Sequence, residues 1–368
     1  MTTARSRSPR RAAASAKPAE DPRTVPMPLA TSVVGSYSVP EWLERVKTDY
    51  YQRHISGAYL KEIHETAIKA AIKDQEAAGV DIVSDGELRR DNDIDYFLAR
   101  MPGVEVPQLA KAFYADYYDA VVTRPIPEHD ESEPPMGLLD DYNFTREYTD
   151  KPIKFSFTGP FSLSRRVKNE FYRNEDDLIM AFARILNREA RALAAAGVAV
   201  LQVDEPLLAG YPDHTAIAVK ALGAVFEGIE RNGTLRAVHV CYGNRYARPL
   251  WEGHYDFLFP EIIKLDIDQL VLEFARKGYD DLDLFKRFPQ TPFSLGVGVI
   301  DVKNPEVETP EMVATRVRRA LAVLPPERLM INPDCGLRNL SGEVARAKLH
   351  ALTEGTNIVR KELTGTKA

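Results

Sequence analysis

The feature that most limits the fold is a rhythm. Eight short runs of β-branched and apolar residues alternate with longer stretches of helical period. The runs are Ala30–Val34, Val80–Ser84, Ile153–Thr158, Val198–Val203, Arg236–Val240, Gln269–Glu273, Phe293–Val299 and Leu329–Asn332. Between them lie helical candidates such as Tyr59–Ala78, Asp176–Ala196, Ala216–Arg231, Pro310–Val323 and Gly342–Arg360. Alternation of this kind is the mark of βα units around a parallel sheet. Eight repeats fit a closed (β/α)8 TIM barrel better than an open doubly wound sheet, which has fewer strands and a glycine-rich first turn. Neither a GxGxxG nor a GxxxxGK[ST] segment occurs. The expected class is therefore α/β, a single barrel over 28–368.

Two segments depart from the rhythm. Residues 1–27 hold six Lys/Arg and two acids among Ser, Ala and Pro, a composition that buries too little apolar surface to offset ordering, so a disordered basic tail is expected. Residues 101–150 are rich in Pro, Asp, Glu and Tyr, with HDESEPP at 129–135. They read as a long insertion after the second strand, either a solvated excursion or a lid whose Tyr114, Tyr117 and Tyr118 line a pocket. The net charge of −6 gives no footing for a nucleic-acid partner. No apolar run approaches the roughly 20 residues of a membrane span, and a cytoplasmic protein is expected.

In a barrel of this type the working groups sit at the C-terminal strand ends. Those ends carry Gly35-Ser36, Asp85-Gly86-Glu87, Gly159-Pro160, Asp204-Glu205, His239-Val240-Cys241, Glu273, Asp301, and Asn332-Pro333-Asp334-Cys335. Strand alternation sends His239 and Cys241 to one side, and Cys335, the only other cysteine, arrives at the same mouth. An imidazole and two thiols form a soft donor set of the kind zinc prefers, with Glu273 the best-placed carboxylate for a fourth position. Two inert buried thiols are the competing reading, and position alone does not choose between them.

The segments VVGSY (33–37), DGELRRDN (85–92), FTGPFSL (157–163), QVDEPLL (202–208), HVCYGN (239–244), VLEFAR (271–276), GVGVIDVKNP (296–305) and NPDCGL (332–337) together resemble the catalytic domain of the cobalamin-independent methionine synthase family. The likeness runs in order from about Pro28 to Leu363 and points to the single-barrel form. It implies zinc held by His239, Cys241, Glu273 and Cys335. It further implies that Ser36, Glu87 and Asp204 bind the carboxylate and ammonium ends of homocysteine, which a methyl donor converts to methionine. Two positions depart from the long form of the family. Lys303, two residues after Asp301, stands where a histidine proton donor is found, and Arg166 replaces a tryptophan that stacks on the pterin of methyltetrahydrofolate. These departures put the acid and the methyltetrahydrofolate donor in question; the resemblance to single-barrel members also permits a methylated corrinoid as donor, and related epoxyalkane:coenzyme M transferases suggest another thiol acceptor as an alternative. A sulfonate acceptor calls for cations at the mouth, with Arg89, Arg166, Arg245 and Arg248 as candidates. A non-catalytic barrel with structural zinc is the remaining alternative.

Overall fold

The computed structural model describes residues 25, 28–106, 119–127, 134, 136–230 and 233–365. Most of the basic tail therefore lies outside the described residues, as do Tyr114, Tyr117, Tyr118 and most of HDESEPP.

The first two apolar runs supply strands only two residues long, β1 (31–32) and β2 (82–83), each held by single parallel bridges. The other six are regular: β3 (Lys154–Thr158), β4 (Val200–Asp204), β5 (Leu235–Val240), β6 (Gln269–Leu272), β7 (Ser294–Ile300) and β8 (Leu329–Pro333), parallel and in chain order. Val83 bridges to Ile153, Ser32 to Ile82 and Thr31 to Ile331, which closes the sheet into the expected eight-membered ring. The shortness of β1 has a local cause. The Asp81 carboxylate accepts both the Thr31 N–H and its hydroxyl, each at 2.8 Å, so a side chain does what a longer ladder would otherwise do.

Helices cover the ring, and their starts follow from capping side chains. Ser56, Asn174, Thr309 and Ser341 each accept a backbone N–H three residues on, opening Gly57–Ala77, Glu175–Ala195, Pro310–Leu321 and Gly342–Thr364. The last two pack closely at Gly355, where a Cβ would lie 2.5 Å from Pro310 O. The expected helix to Arg231 is shorter, Thr215–Phe226. After β5 the chain makes 3-10 turns, Tyr255–Leu258 and Glu261–Lys264, in place of a long helix.

The stretch 101–150 is more structured than an open excursion. Val104–Glu105 pairs antiparallel with Ala120–Val122, which runs parallel to Val167–Asn169. Leu138–Arg146 is a helix that buries Leu138, Tyr142 and Thr145. It takes the place in the helical ring between β2 and β3. Among the described residues no helix is long and apolar enough to cross a membrane.

Inside the ring, alternation puts Lys154, Ser156 and Thr158 of β3, Gln202 and Asp204 of β4, and His239 of β5 on the inner face. Their contacts agree: the Ser156 hydroxyl donates to Glu87 Oε1 (2.7 Å), the Thr158 hydroxyl to Asp93 O, and Gln202 Nε2 to Val34 O (2.8 Å). A polar column thus rises to the C-terminal mouth.

Candidate metal and substrate site

At the end of β5, His239 Nδ1 lies 3.2 Å from the Val271 carbonyl. A carbonyl only accepts, so Nδ1 carries the proton and Nε2 keeps its lone pair. Nε2 is buried with no hydrogen-bond partner among the described residues. Such an orphaned acceptor is costly unless something meets it. Two residues on, Cys241 Sγ stands 3.5 Å from Cys335 Sγ, which follows the end of β8. Ligand atoms of His239, Cys241 and Cys335 all lie within 4.8 Å of one another. Two thiolates on a tetrahedral zinc with bonds of about 2.3 Å would be roughly 3.8 Å apart, so the donors fit such an ion with little movement.

The two sulfurs share a proton unequally. The hydrogen bond from Cys241, together with His239 and Lys303, holds Cys335 well below the usual thiol range, whereas that same bond and burial push Cys241 well up. Burial alone would lower the His239 imidazole, but Cys335 beside it outweighs that and raises it.

Glu273 is fully buried but stands outside the three-residue cluster. Its Oε2 accepts from Lys303 Nζ (2.8 Å) and the Tyr242 N–H (3.3 Å), and its Oε1 from Arg276 Nε (2.8 Å). The Tyr255 hydroxyl donates to Val240 O and accepts the Glu273 N–H, pinning the end of β6 to β5. Asp301 shapes the turn beyond β7: its Oδ1 accepts the Lys303 N–H at 2.9 Å.

Ser36, Glu87 and Asp204 line the neighbouring part of the mouth. A Cβ at Gly336 would lie 1.9 Å from Ser36 Oγ, and one at Gly35 2.1 Å from Glu87 Oε1, so glycine at both positions makes room for these side chains. Glu87 has a left-handed backbone, φ +58°. Its carboxylate pairs with Arg90 at 3.1 Å, while Arg89 pairs with Asp141 at 3.3 Å. Gln202 Nε2 donates to Asp204 Oδ1 (2.7 Å). Burial pushes the Asp204 carboxyl up to about 7. Arg166 sits apart from these residues in the chain, between helix Pro160–Ser164 and strand Val167–Asn169.

Several groups around the cluster were not among the sequence candidates for a role in the site. Asp93 is one: burial pushes its carboxyl up to about 6, and Glu87 and Cys335 add to the effect. Tyr255 and Arg276 are others; Arg90 was foreseen only as an ion-pair partner for Glu87, and Asp334 only as part of a strand end. The stretch DGELRRDN and the segments VLEFAR and NPDCGL contain or adjoin all but Tyr255, but only the folded chain reveals which of their charges face inward.

Fold and site together define a (β/α)8 barrel with a soft N/S donor cluster at its mouth, set beside the carboxylates of Glu87 and Asp204. Comparison with known proteins gives this class a family. Residues 29–357 match the family described as "Cobalamin-independent synthase, Catalytic domain". A methionine synthase of Saccharolobus solfataricus is 35% identical over 339 residues, covering 91% of this chain and 96% of that protein. Its counterpart in Sulfurisphaera tokodaii is 34% identical over 339 residues, covering 91% and 94%. A solved B12-independent methionine synthase from a Shewanella species, in complex with selenomethionine, superposes with a TM-score of 0.78 at 30% identity, covering 92% of this chain and 100% of that one. The chain belongs to the cobalamin-independent synthase catalytic-domain family, and its class is that of an S-methyltransferase.

Proposed function

We propose that this chain methylates the thiol of homocysteine to give methionine, with zinc as its resident metal. The observation that carries the reading is the convergence of His239, Cys241 and Cys335 donor atoms within 4.8 Å beside Ser36, Glu87 and Asp204. His239, Cys241 and Cys335 would hold the ion, with Glu273 as the fourth, exchangeable ligand. Zinc so held keeps a thiol deprotonated at neutral pH and thus nucleophilic.

The state of one donor supports the same reading: Cys241, His239 and Lys303 hold the Cys335 sulfur well below the usual thiol range, which readies it for a cation. The remaining steps belong to side chains. Asp204 and Glu87 take the substrate ammonium through charge-assisted hydrogen bonds, and the Ser36 hydroxyl donates to its carboxylate. The substrate sulfur then faces the donor methyl group; the new S–C bond forms as the bond from methyl to donor breaks. Asp301 holds the turn that presents Lys303, whose ammonium steadies Glu273; with methyltetrahydrofolate it would also serve as acid to the departing pterin nitrogen, whereas a corrinoid leaves as cobalt(I) and needs no proton.

An amino-acid thiol is favoured over a sulfonate thiol because Ser36, Glu87 and Asp204 are all present beside the cluster and, of the arginines named for a sulfonate, Arg89 is paired with Asp141. For the donor, Arg166 in the place of a stacking tryptophan favours a methylated corrinoid over methyltetrahydrofolate. We place the reaction in the cytoplasm.

Product analysis is the test. Homocysteine and, in parallel, coenzyme M are offered with methyltetrahydrofolate, its polyglutamate, methylcobalamin or a small epoxide. Methionine from any methyl donor supports the proposal; alkylation of coenzyme M with no methionine formed overturns it.

A further inference from the structure

One fully buried carboxylate outside the donor set joins three neighbouring strand ends. Asp334 accepts three consecutive backbone N–H groups from the segment after β6: Phe274 and Ala275 on Oδ1 (2.9 and 2.8 Å) and Arg276 on Oδ2 (2.9 Å). Its own N–H donates to Ile300 O of β7 at 2.9 Å. A Cβ on Gly298 of β7 would lie 2.1 Å from Asp334 Oδ1, so glycine there leaves the carboxylate its place. The Tyr279 hydroxyl donates to Gly298 O (3.0 Å), and its ring stacks on Phe274 with centroids 5.6 Å apart. The covalent neighbours of this knot are Glu273, immediately before the three N–H groups, and Cys335, immediately after Asp334.

We infer that Asp334 is a positioning residue that sets the span between Glu273 and Cys335, and through it the affinity of the site for its metal. The inference rests on the zinc reading above. Three successive N–H groups aimed at one carboxylate fix both the translation and the tilt of the β6 terminus, which a single hydrogen bond would not do. Groups that orient metal ligands in this way typically contribute 10–100-fold to metal affinity.

Asp334→Asn tests it. The amide oxygen still accepts from Phe274 and Ala275, but its NH2 then faces the Arg276 N–H, donor against donor. Zinc affinity of the full chain is measured by competition with a chromophoric chelator, and the visible spectrum of the cobalt-loaded protein reports ligand geometry. Far-UV circular dichroism and thermal unfolding verify that the variant is folded. The expected result is a folded protein with zinc affinity reduced about 10–100-fold and an altered cobalt spectrum. Gly298→Ala, which pushes on the same oxygen, gives the same direction and serves if Asp334→Asn does not fold. A folded variant with wild-type zinc affinity and an unchanged cobalt spectrum overturns the inference alone. A wild-type chain that takes up no zinc overturns the metal reading beneath it as well.

Discussion

Asp204→Asn is the sharpest probe of the proposed substrate site. Gln202 Nε2 donates to Asp204 Oδ1 at 2.7 Å; in the proposed reading the second carboxylate oxygen takes the substrate ammonium. In the variant the amide oxygen keeps the Gln202 bond, and the NH2 group is turned toward the ammonium. One charge-assisted hydrogen bond is lost, worth about 1.5–3 kcal/mol, or roughly 10–150-fold in affinity. Asp204 is not a member of the donor cluster, so zinc content should stay at the wild-type level. The assay compares KM for homocysteine with binding of its desamino analogue, 4-mercaptobutanoate. Homocysteine KM should rise by that factor while the desamino thiol binds as before. Equal weakening of both ligands, or an unchanged KM for homocysteine, would refute the ammonium role.

Two other substitutions test separate parts of the account. Lys303→Met leaves the fully buried Glu273 carboxylate with Arg276 as its remaining cationic partner. Breaking such a pair costs about 3–5 kcal/mol in urea unfolding, and with methyltetrahydrofolate as donor loss of an acid lowers turnover about 10²–10⁴-fold. An unchanged rate with an unchanged pH profile would remove Lys303 from the mechanism. His64→Leu concerns acid stability. Burial, with Lys47 and Arg89 adding, pushes the His64 imidazole down to about 3 from 6.5. As pH falls below about 6.5 the unfolded chain takes up a proton that the folded chain refuses, so stability is lost through that window. At pH 5 this amounts to about 2 kcal/mol, which urea unfolding of the variant should show as recovered relative to pH 7. Equal acid losses in the two proteins would contradict the assignment.

Periodicity made the barrel legible because each strand and its helix bury a local, repeating face. All eight apolar runs appear as ring members, and the capped helices start near their expected residues. What periodicity could not convey was where a side chain substitutes for backbone pairing. Asp81 does so for β1, where a run of five residues, four of them apolar or β-branched, yields a two-residue strand. Helix Leu138–Arg146 was hidden within a stretch whose Pro and acidic content suggested loop alone.

The donor cluster was readable because His239, Cys241 and Cys335 are rare residue types placed at strand ends. The groups that set its geometry were not, since their roles depend on partners distant in sequence. Asp334 meets Phe274, Ala275 and Arg276 about sixty positions away. Arg90 could equally have paired outside the site, as Arg89 does with Asp141. Glu273 illustrates both sides: its position at the end of β6 was foreseen, but its engagement by Lys303 and Arg276 was not.

The most direct measurement of the central claim is the metal content of the purified chain and of Cys335→Ser, with the sulfur coordination followed as homocysteine is added. The account expects one zinc per wild-type chain, its loss with turnover in the folded variant, and an additional sulfur ligand once homocysteine binds. A wild-type protein that forms methionine while metal-free and unaffected by chelators would contradict it.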